Sequence, residues 1–273
     1  MYNLLSLGFY RLWRDKVFWF GVTVALLTSV ISMALAVKSA AAMTAEGYGP
    51  YSLDEYYFSM TPFSILFCAV FASMFIGTEY SEGTMRNKIV VGRTRAQIYV
   101  SNYIICLVAG ICFMAALLAG GLIGIPALGV WEIGLKGALV YMAISFLYTA
   151  AITGVFTLLC MLISNKAVAI VLSVLAALAI IVLVGTLPSN ALGQPEFFRT
   201  SVETAEPLAN PLYVSGFRRV FYQLILDCLP GGQAIQVANM GVERPLLSIL
   251  SSVAISIGSM LIGLVAFRKK DIK

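Results

Sequence analysis

The sequence predicts an all-α polytopic membrane protein with six transmembrane helices. Hydrophobic residues make up 60% of the chain and charged residues only 11%, whereas soluble domains carry about 25% charged residues. The apolar residues are also gathered into runs long enough to cross a bilayer. Helices are predicted because in lipid every backbone amide must be hydrogen-bonded within its own segment.

Six runs without Asp, Glu, Lys or Arg define the predicted spans, and the whole chain, 1–273, is interpreted as a single transmembrane domain. The spans are residues 17–37, 60–78, 98–123, 137–164, 167–187 and 246–267. The first run follows basic residues, as the apolar core of a signal peptide does. Its 21 residues exceed the usual core of about 7 to 15, so we predict a retained span.

Residues 1–16 precede the first span and are predicted to form an amphipathic helix on the inner membrane surface. Leucines and Trp13 are interspersed there with polar and basic residues, a pattern typical of interfacial helices. The alternative interpretation is a disordered leader.

The segment 79–95 joins the second and third spans and carries six charges. At about 3 kcal/mol for each charge at the bilayer centre, burying the segment costs on the order of 15 to 20 kcal/mol. It is therefore predicted to emerge into water. Thr84 to Val91 is predicted to form two helical turns that Gly92 stops in a left-handed conformation, and Thr94 with Gln97 fits a capping box for the next helix.

The longest loop, 188–245, is predicted to be external. Arg219, Gln223 and Asp227 form one polar stripe on an otherwise apolar helix, which favours a helix that lies in the outer interface or dips into the bilayer. Pro230-Gly231-Gly232 is predicted to end that helix. A small soluble cap made of the same residues is the alternative.

The distribution of basic residues predicts the orientation. Twelve Lys and Arg residues fall on one face and six on the other, and with the acidic residues the net charges are +8 and −3, which add up to the +5 of the chain. The positive-inside rule therefore places both termini in the cytoplasm. The positive charge is explained by topology, so no nucleic-acid partner is inferred; the basic C-terminal end is expected to contact anionic lipid.

Two patterns within the spans predict helix packing. Gly120 with Gly124, and Ala254 with Gly258, are small-residue pairs of the kind that allow close helix contact. Thr149, Thr153 and Thr157 repeat every four residues and mark a polar face of the fourth span. This face either lines a pathway or forms hydrogen bonds between helices, and the second interpretation is favoured.

Several chemistries are excluded by composition. The chain has no histidine, which rules out histidine metal sites, bases and triads, and it has no G-x-x-x-x-G-K-[ST] loop to hold nucleotide phosphates. We expect no enzyme activity, metal or cofactor in this chain. The predicted spans also lack the ionisable groups that proton-driven carriers place inside the membrane.

Residues 77–86, with the sequence GTEYSEGTMR, and the following Gly92-Arg93-Thr94-Arg95 resemble the G-x-E-Y-x-x-G-T…R signature after the second helix of ABC type-2 exporter permeases. The six-span plan, the N-terminal surface helix, the LPGGQ run at 229–233 and the basic end at 267–271 match the same family.

The resemblance implies a membrane subunit that pairs with a second copy or a related permease and rests on separate ATP-binding subunits, which hold the ATP and Mg²⁺. Residues 79–95 then form the segment that couples to the ATPase. The residues that match the motif are the coupling residues implied by the resemblance: Glu79, Tyr80, Gly83, Thr84 and Arg86. Arg93 and Arg95 are added from their charge and position, since they can pair with carboxylates. The surface helix would supply a second contact through Arg11, Trp13 and Arg14.

The expected function is ATP-driven export of an apolar or amphipathic substrate, such as a peptide antibiotic, a drug or a lipid-like molecule, across a bacterial cytoplasmic membrane. Two alternatives stay open. One is a channel or secondary carrier that works without ATP, and the other is an immunity or sensing protein that binds a toxic peptide without transporting it.

Overall fold

The computed structural model describes residues 1–45, 52–129, 131–201 and 204–271. Helices dominate this part of the chain, and six are long and apolar enough to cross a membrane, which confirms the predicted fold class. In chain order the helices are α1 (Tyr2–Arg14), α2 (Lys16–Ala45), α3 (Asp54–Tyr57), α4 (Phe63–Ser81), α5 (Thr84–Val90), α6 (Arg95–Gly121), α7 (Ile125–Leu128), α8 (Gly134–Leu162), α9 (Lys166–Ala179), α10 (Leu187–Leu192), α11 (Phe217–Cys228), α12 (Pro230–Ala238) and α13 (Pro245–Lys269).

Short irregular segments extend two of the spans. A 3₁₀ turn, Leu122–Gly124, joins α6 to α7, and a π-helix, Ile180–Thr186, joins α9 to α10. A two-stranded antiparallel hairpin, β1 (Glu196–Ser201) and β2 (Thr204–Ala209), follows α10. The six candidate spans are α2, α4, α6 with α7, α8, α9 with α10, and α13.

Three spans form the centre of the bundle. More than half of the most apolar stretch of α4, α6 and α8 is buried inside the protein, against 17% in the other three spans. The outer spans leave most of their apolar stretch unpacked within the chain, as expected for helices that also face lipid. We call the face that holds α1, α5 and the end of α13 the basic face.

The threonine stripe of α8 lies at the centre of the bundle. Thr149 Oγ1 is 3.3 Å from Ser64 Oγ on α4, and Thr153 Oγ1 lies 3.2 Å from Cys68 Sγ. All three threonines of the stripe are buried. The contacts of Thr149 and Thr153 with α4 support the interpretation that the stripe forms hydrogen bonds between helices, although Thr157 Oγ1 has no hydrogen-bond partner among the described residues.

The Gly120 and Gly124 pair packs against α2. A Cβ atom on Gly120 would lie 2.7 Å from Ser29 Cβ, and one on Gly124 would lie 2.5 Å from Met33 Sδ. The second small-residue pair makes no comparable contact in the described residues, since a Cβ atom on Gly258 would have nothing within 4 Å. Only the first pair therefore forms a close interface within the chain.

This difference predicts unequal effects of the same substitution. Gly120→Val should destabilise the protein by about 1 to 3 kcal/mol, because the added side chain overpacks the contact with α2. The measurement is thermal unfolding of the purified protein in detergent, with Gly258→Val as the matched control. Equal melting temperatures for the two variants would contradict the close α2–α6 contact.

The helices extend past the predicted spans into charged residues. The apolar run of the second span ends at Thr78, yet α4 continues to Ser81 and includes Glu79. Similarly, α13 ends with Arg268 and Lys269 in its last turn, where basic side chains interact favourably with the helix dipole. Hydropathy marks the apolar stretch, whereas backbone hydrogen bonding continues wherever the charged side chains find partners.

The long segment between α10 and α13 contains one helix more than predicted. The helix with the polar stripe, α11, ends before Pro230 as expected, but Pro230 then starts α12, because proline suits the first turn of a helix. All residues of α12 from Pro230 to Val237 are buried, and Gly231 allows close contact with the π-helix, since a Cβ atom there would lie 2.7 Å from Ile180 O. Whether α11 dips into the bilayer stays a prediction.

Candidate functional site

The junction of α4, α5 and α6, residues 79–95, is a short helix held between two glycine turns. Gly83 and Gly92 adopt φ angles of +68° and +85°, which glycine reaches without steric cost. Between them α5 forms as predicted. The Thr94 side chain accepts a hydrogen bond from Gln97 N and the Gln97 side chain accepts one from Thr94 N, so the predicted capping box is confirmed.

Glu79 is the buried centre of this junction. Its side chain is only 3% exposed, and its Oε1 atom pairs with Arg11 Nη1 at 2.8 Å and with Lys88 Nζ at 2.5 Å. Asn102 Nδ2 donates to the other oxygen, Oε2, at 3.0 Å. One carboxylate therefore fastens α1, α5 and α6 to the end of α4.

Arg11 is fixed by a second set of contacts. Its Nη2 atom donates to Phe75 O at 2.8 Å, and its guanidinium lies 4.1 Å from the centre of the Phe75 ring. Charge-assisted bonds of this kind are among the stronger hydrogen bonds in proteins. The surface helix α1 is thus attached to α4 through one arginine.

The neighbouring Tyr80 connects α4 to α8 and to the C-terminal end. Its hydroxyl donates to Met161 O at 2.6 Å. Lys270 Nζ donates to the same hydroxyl at 2.9 Å and to Met161 O at 3.1 Å, and lies 4.1 Å from the centre of the Tyr80 ring. Burial lowers the pKa of the Lys270 amine from 10.5 to about 8.

The lowered pKa of Lys270 predicts a pH dependence. Above about pH 8 the native protein releases a proton that the unfolded chain still binds, so its stability should rise with pH relative to Lys270→Met, which has no amine to titrate. The measurement is the melting temperature of both proteins from neutral pH to about pH 10, near the pKa of a free lysine. Parallel curves would show that Lys270 is not buried in this way.

The Arg95 side chain also forms hydrogen bonds within the chain. Its Nη1 atom donates to Arg268 O at 3.0 Å and to Lys270 O. The start of α6 is therefore tied to the end of α13. The predicted ATPase contact of Arg95 stays a prediction, but in this conformation its guanidinium is occupied by backbone carbonyls of its own chain.

The far end of α5 is exposed. Val90 and Val91 are 80% and 76% exposed, and Arg86 on the same helix is exposed as well. Two adjacent valines exposed at the end of a braced helix form a small apolar surface on which a protein contact can be tested. Sequence reasoning named Arg86 but missed the two valines.

A family model described as ABC-2 family transporter protein matches residues 4–186. This range covers more than half of the chain and includes the whole junction. The chain belongs to the ABC-2 transporter family. No curated protein matches it in sequence. The match and the six candidate spans together make it a multi-pass membrane protein with a permease-type role.

A groove lies between α1 and α5 on the basic face of this ABC-2 permease. Its volume is about 320 Å³, and most of its exposed lining surface is carbon, although polar and basic residues contribute to it: Asn3, Leu4, Leu7, Thr84, Asn87, Lys88, Val91 and Arg93. Lys88 is paired with Glu79, whereas Arg93 is the basic residue of this lining with no ion pair among the described residues. The groove therefore combines an apolar surface with positive charge at its rim.

Of the other predicted contact residues, Thr84 forms a hydrogen bond within the chain, whereas Trp13 and Arg14 lie at the surface. Thr84 Oγ1 donates to Glu79 O at 3.1 Å and so helps to start α5. Arg14 is exposed and its guanidinium lies 4.5 Å from the centre of the Tyr10 ring. Trp13 is half exposed, and its ring packs 5.8 Å from that of Trp19. Trp13 and Arg14 are thus accessible, unlike Glu79.

Proposed function

We propose that this ABC-2 permease is the membrane subunit of an ATP-driven exporter and that a separate ATP-binding subunit moves it. The observation that carries the proposal is the form of α5. The helix is braced by the buried Glu79 through Lys88, and it is exposed along one side at Arg86 and at its end at Val90 and Val91. A rigid helix with an apolar tip in water suits a lever that a soluble partner grips.

The contacts at the junction give a route for the movement. Glu79 connects α5 to α1, α4 and α6, while Tyr80 and Arg95 connect α4 and α6 to α8 and α13. A displacement of α5 in the partner's nucleotide cycle would therefore reach four spans together. Such rigid linkage supports two alternating states of the permease, one favoured by the ATP-bound partner.

The groove between α1 and α5 indicates the chemistry of the partner. Leu4, Leu7 and Val91 offer an apolar surface, and Arg93 adds a positive charge at the rim. An ATP-binding subunit would fit with a segment that is apolar on one side and acidic at its edge. ATP and Mg²⁺ would bind that subunit, since the permease has no P-loop of its own.

The proposed substrate is apolar or amphipathic, such as a peptide antibiotic, a drug or a lipid-like molecule, because the walls of the spans are apolar. The apolar cavity between α2, α4 and α6, with Phe20, Phe67, Phe71 and Phe113 in its lining, has a volume of about 140 Å³, which is smaller than an ordinary ligand pocket of about 300 Å³ or more. A second copy of this chain, or a related permease, would complete the transport path. The excess of basic residues beside α5 supports cytoplasmic termini in a bacterial cytoplasmic membrane.

Reconstitution tests the proposal. The permease is co-expressed with the P-loop ATPase of a neighbouring reading frame, and the pair is expected to co-purify in detergent and to move a fluorescent amphipathic probe in vesicles only with ATP. Probe flux without any ATPase would indicate a channel or carrier. Probe binding without flux would indicate an immunity or sensing protein. Either result would overturn the proposal.

Arg93 and Arg95 provide a matched pair of variants for the docking surface. Arg93→Glu should weaken association with the ATPase by about tenfold, the equivalent of roughly 1.4 kcal/mol, and leave the melting temperature of the isolated permease unchanged. Arg95→Glu should lower that melting temperature, because the carbonyls of Arg268 and Lys270 lose their donor. Affinity measurements and thermal unfolding of both variants check this, and identical behaviour would contradict the assignment.

A further inference from the structure

A second buried carboxylate lies at the end of α11, away from the junction. Asp227 is fully buried where α11 meets α12 and the start of α13. Its Oδ1 atom accepts hydrogen bonds from Gln236 Nε2 at 2.8 Å and from Gln223 Nε2 at 3.1 Å. The two glutamine amides therefore satisfy one oxygen of the carboxyl group.

Each of the two groups joined by the bond between Gln236 and Asp227 also has an acceptor atom without a donor. Asp227 Oδ2 and Gln236 Oε1 are both buried, and no donor of the described residues reaches either one. Leaving a buried acceptor without a hydrogen bond costs about 1 to 3 kcal/mol, and more for a charged group. Arg244 Nη1 is 3.8 Å from Oδ2, which is too far for a hydrogen bond.

The two unsatisfied atoms belong to the two groups that the 2.8 Å bond already joins. A carboxylate and an amide can share only one hydrogen bond in this arrangement, because Oδ2 and Oε1 are both acceptors. A carboxylic acid and an amide can share two, and the pair then closes into a ring. One proton on Oδ2 supplies the donor that both atoms lack.

We propose that Asp227 is a proton-binding site, in which the acid form donates its Oδ2 proton to Gln236 Oε1 while Gln236 Nε2 donates to Oδ1. The neutral acid also avoids the cost of a buried charge that has no hydrogen-bonded counterion. Gln223 adds a second donor to Oδ1, so every polar atom of the carboxyl group has a partner in this form.

Arg244 is the partner for the other protonation state. Among the described residues, the charged or titratable groups that interact with Asp227 are Arg244, just before α13, and the adjacent thiol of Cys228 on α11; α10 and α12, which pack on α11, contain none. Release of the proton leaves a carboxylate that Arg244 can reach with a small shift. Proton release would therefore draw the start of α13 towards α11.

The experiment uses the purified permease without an ATPase, so its result is independent of the proposed transport function. Infrared spectra of the wild type at neutral pH should contain the carbonyl band of a protonated carboxylic acid, which shifts in D₂O and is missing from Asp227→Asn. Asp227→Asn should keep the wild-type melting temperature, because its amide donates in place of the acid proton, whereas Asp227→Ala should lower it.

A second comparison separates the acid from the charged form. Arg244→Gln should cost no more stability than Arg218→Gln, the control at an exposed arginine of the same segment, because a neutral Asp227 needs no counterion. If Arg244→Gln lowers the melting temperature clearly more than Arg218→Gln does, Asp227 is charged and the proposal is wrong. Absence of the infrared band from the wild type would overturn it as well, even if Asp227→Asn failed to fold.

Discussion

The proposed complex of this permease with an ATP-binding subunit should fail to form when Val90 and Val91 are both replaced by Asp. The two side chains are 80% and 76% exposed at the tip of α5. Burying an unpaired carboxylate at each position in the complex would cost more than the roughly 1.4 kcal/mol that equals a tenfold loss of affinity. Loss of both side chains and burial of two new carboxylates should weaken association by more than about a hundredfold. Quantitative pull-down or surface-binding measurements with the purified ATPase check this.

The matched control is Leu212→Asp, at an exposed leucine of the segment between β2 and α11. It introduces one exposed carboxylate far from the junction along the chain, where the double variant introduces two, and should leave ATPase binding unchanged. The melting temperature of the isolated Val90→Asp/Val91→Asp variant should equal that of the wild type, since neither valine packs inside the protein. Full ATPase binding by this variant would show that the tip of α5 is not the docking surface.

Local sequence patterns were sufficient to predict the secondary structure of the junction. The turn at Gly92, the helix between the two glycines and the capping box of Thr94 with Gln97 each depend on residues within a few positions of one another. The amphipathic α1 and the six spans likewise follow from periodicity and hydropathy. The family match agrees with the resemblance found in residues 77–86.

The orientation of the charged side chains could not be predicted in the same way. Arg11 and Glu79 are separated by 68 positions and Arg95 and Lys270 by 175, so no local pattern connects them. Hydropathy ended the second span at Thr78 and placed Glu79 in water, whereas its partners allow it to be buried in α4. The contact of Glu79, Tyr80 and Arg95 with an ATPase stays a prediction, and the structure assigns them contacts within the chain.

The exposure of Val90 and Val91, in contrast, could have been predicted from the local sequence. Val90 and Val91 look like ordinary apolar residues of a helix, but α5 has only seven residues and ends at a glycine turn. Its buried side is already filled by Met85, which is 1% exposed. Two valines at the end of a short charged connection, whose inward side is already occupied by Met85, are the signal that the sequence offered.

Glu79→Gln should be the most destabilising single substitution at the junction. Removal of the charge leaves Arg11 and Lys88 facing each other without a counterion. The new amide has one acceptor oxygen, so its NH₂ group faces either Asn102 Nδ2 or the two basic side chains. Breaking a buried ion pair from one side costs about 3 to 5 kcal/mol; because Arg11 and Lys88 are 30% and 26% exposed, we expect about 3 kcal/mol. Thermal unfolding in detergent measures the loss.

Glu82→Gln is the matched control, because Glu82 follows Glu79 by three residues but is exposed. It removes the same charge and should leave the melting temperature unchanged. The triple variant Arg11→Met/Glu79→Met/Lys88→Met should regain most of the lost stability, since apolar side chains often replace a buried ion pair without cost. If that stable variant still binds the ATPase but no longer couples ATP hydrolysis to transport, the charges serve to hold α5 in its orientation. If Glu79→Gln and Glu82→Gln have the same melting temperature, Glu79 does not brace α5.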